Sequence, residues 1–278
     1  EGESMTVLFK PLSGILNQNK LLPLRYAPIT IELELVDSGT DPIVSNFSGT
    51  GDFAFKADNT STNWSINNVQ VKCDVCTLDN ALDNSYAQHL LSGKSLPITY
   101  NTFISQIQTI AGQDNPLVTV SRAITRLKSV FVTLSKEYSG GRAGLIGRKF
   151  WNDFFSPMSS YNYDGVFTHE PDAEFEFQLQ IGSKLFPEYP IRSHSEAYYQ
   201  LKKTLGVQAS AVHNFDVSAV EYRDHKFVVG TDCEKVLDAG FTGINTRAGD
   251  LLSIKFKYND AGSNDSHLAD RMHIVLHS

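Results

Sequence analysis

The chain has 278 residues, of which 41% are hydrophobic and 20% are charged, so it can bury a sizeable core and lacks the composition of a disordered protein. Its net charge of −7 argues against broad electrostatic binding to nucleic acid, which needs many Lys and Arg residues on phosphates. No segment approaches the roughly 18 consecutive apolar residues of a membrane-spanning helix. The odd count of three Cys argues against a disulfide-stapled secreted domain.

Short segments in which apolar and polar residues alternate predict β-strands along most of the chain. In TIELELV (30–36) the apolar residues recur every second position, which is typical of a half-buried strand. In AEFEFQLQIG (173–182) the same period puts two Phe, a Leu and an Ile on one face and only Glu and Gln on the other. Further strands are predicted in NVQVKCDVCTL (68–78), in two pieces of 117–135, in LLSIKFKY (251–258) and in RMHIVLHS (271–278).

Three helices are predicted between the strands. The first has Asp79 as its N-cap and stops at Gly93, and a short second one covers 148–156. The third follows two prolines that hold the chain extended. There Ser193 and Glu196 form an S-x-x-E capping box, so the Glu has a structural role and we expect the neighbouring His194 to be solvated.

Long polar or Gly-rich connections separate the strands, as between 37 and 63 and between 156 and 172. Antiparallel strands with long loops are typical of a β-sandwich rather than of alternating βαβ units. The sequence therefore predicts an all-β protein with a few short helices in its loops.

No motif predicts a catalytic, cofactor-binding or metal-binding site. Cys73 and Cys76 form a lone C-x-x-C without a second ligand pair, and we expect them to be ordinary strand residues. His273 and His277 would lie about 13 Å apart on one strand, too far to share an ion, and we expect them at an edge or on the surface. The chain has no G-x-S-x-G motif and no H-x-H motif, which argues against an enzyme on this fold.

Three segments in order resemble the double jelly-roll major capsid proteins of DNA viruses, the lineage of polinton-like viruses, virophages and nucleocytoplasmic large DNA viruses. The first, 7–36, has an apolar strand ending in Pro-Leu, a Gly-Asn loop and a "lPL" turn. The second, 181–206, has a Gly turn, an Arg/Pro-containing loop and a short capped helix with paired Tyr. The third, 226–258, has the pattern "sG-x-N-x-R" between two strands. The paired aromatics are Tyr198 and Tyr199. Together with the capping box, the residues of this structural signature are Pro11, Gly14, Pro23, Gly182, Pro187, Arg192, Ser193, Glu196, Gly243, Asn245 and Arg247.

The resemblance implies that residues 1–112 form the C-terminal part of a first jelly roll, incomplete at its N-terminus, and that 113–278 form the second. It also implies a major capsid protein subunit, located in the virion and assembled in the host cytoplasm or nucleus. Its expected partners are two further copies in a trimeric, pseudo-hexameric capsomer, neighbouring capsomers and minor or penton capsid proteins. We expect no specific nucleic acid binding, no cofactor and no membrane span.

Two alternatives stay open, one for the role of three aromatic residues and one for the function of the protein. Trp151, Phe154 and Phe155 are candidate subunit contacts, but the same residues suit core packing. The segments NTSTNW and SSYNYDG carry residue types that bind sugars, so a jelly-roll carbohydrate-binding module is the alternative function.

Overall fold

The computed structural model describes residues 4–11, 13–18, 20–34, 65–110, 113–135, 156, 175–205, 215, 217–224, 226–234, 242–247, 250–258 and 269–278. The chain divides into two compact units. One consists of 1–17, 45–59 and 101–278, and the other of 18–44 and 60–100.

Eight strands in the larger unit form two four-stranded antiparallel sheets. In chain order the strands are β1 (Phe103–Thr109), β2 (Leu117–Val120), β3 (Ser129–Ser135), β4 (Phe175–Ile181), β5 (Lys184–Ile191), β6 (Val228–Asp232), β7 (Leu252–Tyr258) and β8 (Arg271–His277). The first sheet has the order β1-β8-β3-β6 and the second the order β2-β7-β4-β5.

Alternating side chains from both sheets form one apolar core. On β4 the residues Phe175, Phe177, Leu179 and Ile181 are buried while the polar residues between them are not, which confirms the predicted alternation. Opposite this strand, β3 and β8 contribute their own buried alternating residues. The shared core includes Val130, Val132, Leu134, Phe175, Phe177, Leu179, Ile254, Phe256, Met272, Ile274 and Leu276.

Short helices lie in the connections of this unit. They are α1 (Gly14–Asn17), α3 (His194–Leu205) and α4 (Ala219–Asp224). Helix α3 packs on the outer face of the first sheet, because a Cβ at Gly230 of β6 would lie only 3.0 Å from the Leu201 side chain. This glycine lets the helix approach the strand closely.

The smaller unit contains α2 (Asn80–Leu91). As predicted, Asp79 caps it by accepting a hydrogen bond from the Leu82 amide at 2.8 Å, and Gly93 follows the helix with φ +75°. Arg25 forms an exposed ion pair with Asp83 of this helix.

The predicted strands at 30–36 and 68–78 are wrong for the residues that the structure describes there. Residues 30–34 and 68–78 belong to no sheet, and apolar side chains such as Leu33, Val69 and Val71 are exposed. A strand forms only when a neighbour takes up its backbone hydrogen bonds, and no described residue pairs with either segment.

The predicted all-β class is confirmed in its coarse form, as two antiparallel sheets with a few short helices. Strand β1 was not among the predicted strands, and it lies before the predicted boundary at residue 112 although it pairs with β8. Strand β1 is therefore part of the first sheet, although it lies before residue 112. The assignment of 1–112 to a first jelly roll stays a prediction. Among the described residues, no helix is both long and apolar enough to cross a bilayer.

Candidate functional site

The segment that joins β5 to α3 contains the predicted capping residues. The Ser193 hydroxyl accepts a hydrogen bond from the Glu196 amide at 3.2 Å, which confirms Ser193 as the N-cap. The Glu196 carboxylate accepts one from the Arg192 amide at 3.0 Å, one residue earlier than in a standard capping box. Both side chains therefore satisfy backbone N–H groups at the start of α3.

The prediction that His194 is solvated is wrong. Its ring is partly buried, with ring centroids 6.0 Å from both Phe175 and Phe227. The first turn of α3 lies over the edge of the apolar core, so an aromatic side chain at this position packs instead of facing water. Arg192 is exposed, and its Nε donates to the Glu176 carboxylate at 2.9 Å.

The Gly-polar turn lies between β4 and β5. Gly182 has φ +59°, and a Cβ there would lie 2.4 Å from the Asp250 carboxylate, so both the backbone conformation and the space require glycine. The predicted Arg/Pro loop that follows is wrong in part, because Pro187 and Pro190 lie within β5. Proline is tolerated there because β5 is an edge strand with an irregular register.

The segment 242–247 is hydrogen-bonded to the residues that precede β3. Gly243 has φ +136°, and a Cβ there would lie 2.9 Å from the Arg126 backbone. The Asn245 side chain accepts a hydrogen bond from the amide of the exposed Arg247 at 2.8 Å, which closes a local turn. The sequence prediction missed Thr246, a buried residue whose hydroxyl accepts from the Ile124 amide at 2.9 Å.

The remaining predicted residues lie in the N-terminal segment or outside the described residues. The Pro11 carbonyl accepts hydrogen bonds from the Ser13 amide and the Asn17 side chain, and Gly14 is the first residue of α1. The Pro23 carbonyl accepts from two amides of the following turn. The candidate subunit contacts lie outside the described residues; they are Trp151, Phe154 and Phe155.

The outer face of the first sheet carries the two histidines of β8, and the prediction that they lie at an edge or on the surface is wrong for His277, whereas His273 is half-buried. Strand β8 is central, and His277 is 3% exposed. Its Nδ1 is 3.1 Å from the Ser129 hydroxyl, and its ring stacks on Phe103 with centroids 4.6 Å apart. His273 Nε2 is 2.7 Å from the Ser135 hydroxyl.

Burial and neighbouring cations keep both histidines neutral. Burial, together with Lys128, lowers the pKa of His277 to about 4. Burial and Arg271 also lower the pKa of His273. Lys128 itself is paired with Glu234 at 3.5 Å, and both side chains are largely buried. The outer face of this sheet thus combines aromatic and aliphatic side chains with Ser and Thr hydroxyl groups, and the β8 histidines on it carry no charge near neutral pH.

The outer face of the second sheet is charged instead. Glu176 and Gln178 of β4 lie opposite Lys257 and Lys255 of β7. They line a shallow groove of about 390 Å³, completed by Asn115, Pro116, Leu117 and Pro190. The Gln178 amide donates to the carbonyls of Pro187 and Glu188, so this side chain supports the irregular pairing of β4 and β5.

The cysteines do not form a site. Cys73 and Cys76 are exposed on a segment that is not a strand, which corrects the prediction of strand residues. Cys233 is buried, and burial raises the pKa of its thiol to about 12. Within the described ranges, no group of three His, Cys, Asp or Glu residues could hold a metal ion.

No protein-family model matches the chain, and no curated protein matches it significantly.

Proposed function

We propose that this chain is a structural subunit of an icosahedral DNA-virus capsid, built on a jelly-roll sandwich. The order of strand pairing carries this proposal. The first strand pairs with the eighth, the second with the seventh, the third with the sixth and the fourth with the fifth. This order arises when one long hairpin is rolled into two sheets, the arrangement of the jelly rolls that viral capsid subunits, lectins and cupins share.

Exposed apolar side chains favour the capsid role among these three. Monomeric proteins rarely expose large contiguous apolar surface, and such surface marks interaction sites. In this chain the segments 5–9, 29–33 and 69–75 each expose several apolar side chains. A protein that works only in a closed assembly covers such residues with its neighbours.

The finer details of the proposal come from the resemblance. Residues 113–278 would be the second jelly roll of a double jelly-roll protein and 1–112 would belong to the first, except that β1 (Phe103–Thr109) would join the second because it pairs with β8. Three copies would then form a pseudo-hexameric capsomer, and the protein would be located in the virion. The long loops between rigid strands suit contacts between subunits.

The experiment compares wild-type protein with two variants of one exposed segment. We expect trimers by light scattering coupled to size exclusion, and hexagonal arrays or shells by negative-stain electron microscopy. Leu33→Gln removes an exposed apolar side chain and is expected to weaken assembly. Glu34→Gln, on the polar side of the same segment, is the matched control and is expected to assemble normally.

The opposite result is a wild-type protein that remains monomeric at every concentration and forms no array or shell. That result would overturn the capsid proposal whatever the variants do. Equal assembly of Leu33→Gln and wild type would remove residues 29–33 from the subunit contacts.

One observation favours the second candidate, a carbohydrate-binding module. The groove on the second sheet is lined by polar side chains that can bond to hydroxyl groups, although none of its lining residues is aromatic. Glycan-array binding by the monomer that is lost in Lys257→Ala, but kept in Lys184→Ala outside the groove, would favour this function.

A further inference from the structure

Strand β1 is the sheet edge that is least protected against pairing with another strand. Natural proteins protect an exposed edge strand against pairing with another chain by placing prolines, charges or bulges in it, or by keeping it short. The edge strand β5 has two prolines and an irregular register, and the edge strands β2 and β6 are four and five residues long. Strand β1, FISQIQT, has seven residues and contains neither a charge nor a proline.

On the side away from β8, the backbone hydrogen-bonding groups of β1 meet no partner among the described residues. Thr102 and Ser278 bond to each other through both N–H groups, and the Ile110 amide donates to Asp270. Because bonding alternates along an antiparallel ladder, the residues between them that face away from β8 are the odd-numbered ones. Ser105, Ile107 and Thr109 are exposed, and no described residue pairs with β1 on this side.

One buried side-chain oxygen of β1 also lacks a hydrogen-bond donor among the described residues. Gln106 lies opposite the core residue Ile274, so its side chain points toward the inner face of the sheet. Its Oε1 atom is buried and accepts no hydrogen bond. Such an atom costs free energy unless a donor reaches it, and an added strand could bring that donor.

The chain contains a segment with a matching pattern. In NVQVK (68–72) Val69 and Val71 are 66% and 68% exposed, and no described strand pairs with them. Beside β1, these valines would cover the exposed Ile107 on the outer face of the sheet. Gln70 and Lys72, on the other face, carry N–H groups that can donate to Gln106.

The other unpaired segment, 30–34, fits this edge less well. It too alternates, but its polar positions are Glu32 and Glu34. A carboxylate only accepts hydrogen bonds, so it would leave the Gln106 oxygen without a donor.

We propose that the free edge of β1 accepts residues 68–72 of a second copy of this chain as an added strand. The interface is heterologous, with a donor segment and an acceptor edge on every copy, so copies join head to tail. The inference does not depend on a capsid role, because it follows from the edge, the Gln106 oxygen and the segment alone.

The acceptor is tested with Ile107→Pro and its matched control Ile107→Thr, by sedimentation velocity over a range of concentrations. Proline removes an N–H group that β8 does not use, and edge positions tolerate it, whereas threonine keeps the group. We expect Ile107→Pro to weaken self-association by about two- to tenfold, the effect of losing one hydrogen bond, and Ile107→Thr to associate like wild type. Equal association of Ile107→Pro and wild type would overturn the proposal.

The donor is tested with Val71→Pro and Val71→Thr in the same measurement. Ile107→Pro keeps an intact donor segment, and Val71→Pro keeps an intact acceptor edge. Therefore Ile107→Pro and Val71→Pro should each associate more weakly alone than wild type, and their mixture should form a heterodimer with the affinity of the wild-type contact. A Val71→Pro variant that associates like wild type would contradict the donor assignment.

Hydrogen exchange on the wild-type protein covers the case in which Ile107→Pro fails to fold. We expect the amides of Ser105 and Ile107 to exchange slowly at high concentration and rapidly after dilution. Exchange rates that do not change with concentration would overturn the proposal.

Discussion

At the residue scale, His277 shows how the first sheet tolerates a polar ring on its outer face. The ring is almost fully buried, bonded to Ser129 and stacked on Phe103. Lys128 and its partner Glu234 lie nearby, and the cation disfavours a second positive charge. The histidine is therefore neutral in the folded protein down to a pH of about 4, whereas in the unfolded chain it titrates near 6.5.

The pH dependence of stability follows from this difference. Between pH 6.5 and about 4 the unfolded chain binds a proton at His277 and the folded protein does not, so the free energy of unfolding falls as the pH falls. From pH 7 to pH 5 we expect a loss of about 2 kcal/mol from this group. Above pH 7 the group contributes no pH dependence.

The measurement is urea unfolding of wild type and His277→Asn at pH 7 and pH 5. The Asn amide can occupy the place of Nδ1 beside Ser129 but does not titrate. Carboxylates affect both proteins alike, so the difference between their pH dependences reports on His277. Identical pH dependences would show that His277 titrates normally in the folded protein.

At the element scale, the start of α3 depends on its cap more than on its ion pair. The Ser193 hydroxyl satisfies a helix N–H group that otherwise has no intrahelical acceptor. Arg192 and Glu176 are paired but exposed, and such pairs contribute little.

We therefore expect Ser193→Ala to lower the free energy of unfolding by about 1 kcal/mol, and Arg192→Ala to lower it by less than about 0.5 kcal/mol. Arg192→Ala keeps the backbone amide that bonds to Glu196, so it is a control for the cap. Urea unfolding followed by circular dichroism measures both variants. A larger loss in Arg192→Ala would mean that the ion pair, and not the cap, fixes the helix.

Local patterns in the sequence predict these elements well. The alternation in β4, the helix after Asp79 and the Ser193 cap depend on residues close in sequence, and the structure confirms all three. The alternation of β8 was also predicted correctly. Its central position was not, because period two shows which side chains share a face but not which strands lie on either side.

Other features depend on distant residues and could not be predicted locally. Strand β1 forms because β8, more than 160 residues later, provides its partner. Residues 68–78 have an equally clear strand pattern but find no partner among the described residues. Pro187 and Pro190 hold the chain extended, as predicted, but their place in an edge strand, where no neighbour needs the missing N–H groups, depends on the order of the whole sheet.

At the scale of the whole molecule, the sandwich presents two different outer faces. The outer face of the first sheet mixes apolar, hydroxyl and imidazole side chains next to the edge strand β1, and α3 covers its opposite side at β6. The second sheet is charged around Lys255, Lys257 and Glu176. The first face, with Ile107 exposed at its edge, suits contacts with other copies of the chain, and the charged face suits water.

Hydrogen exchange over the whole chain tests which segments are protected within one copy and which become protected only when copies associate. Strands β3, β4, β7 and β8 each pair on both sides and contribute to the core, so their amides should exchange only through global unfolding. In dilute solution the amides of 68–78 should exchange near the rate of an unfolded chain, because no described group accepts their hydrogen bonds. At high concentration, protection should appear in 68–72 and on the open side of β1 together. Protection of 68–78 at every dilution would mean that this segment pairs within its own chain, and its strand pattern would then serve the fold of one subunit rather than the contact between two.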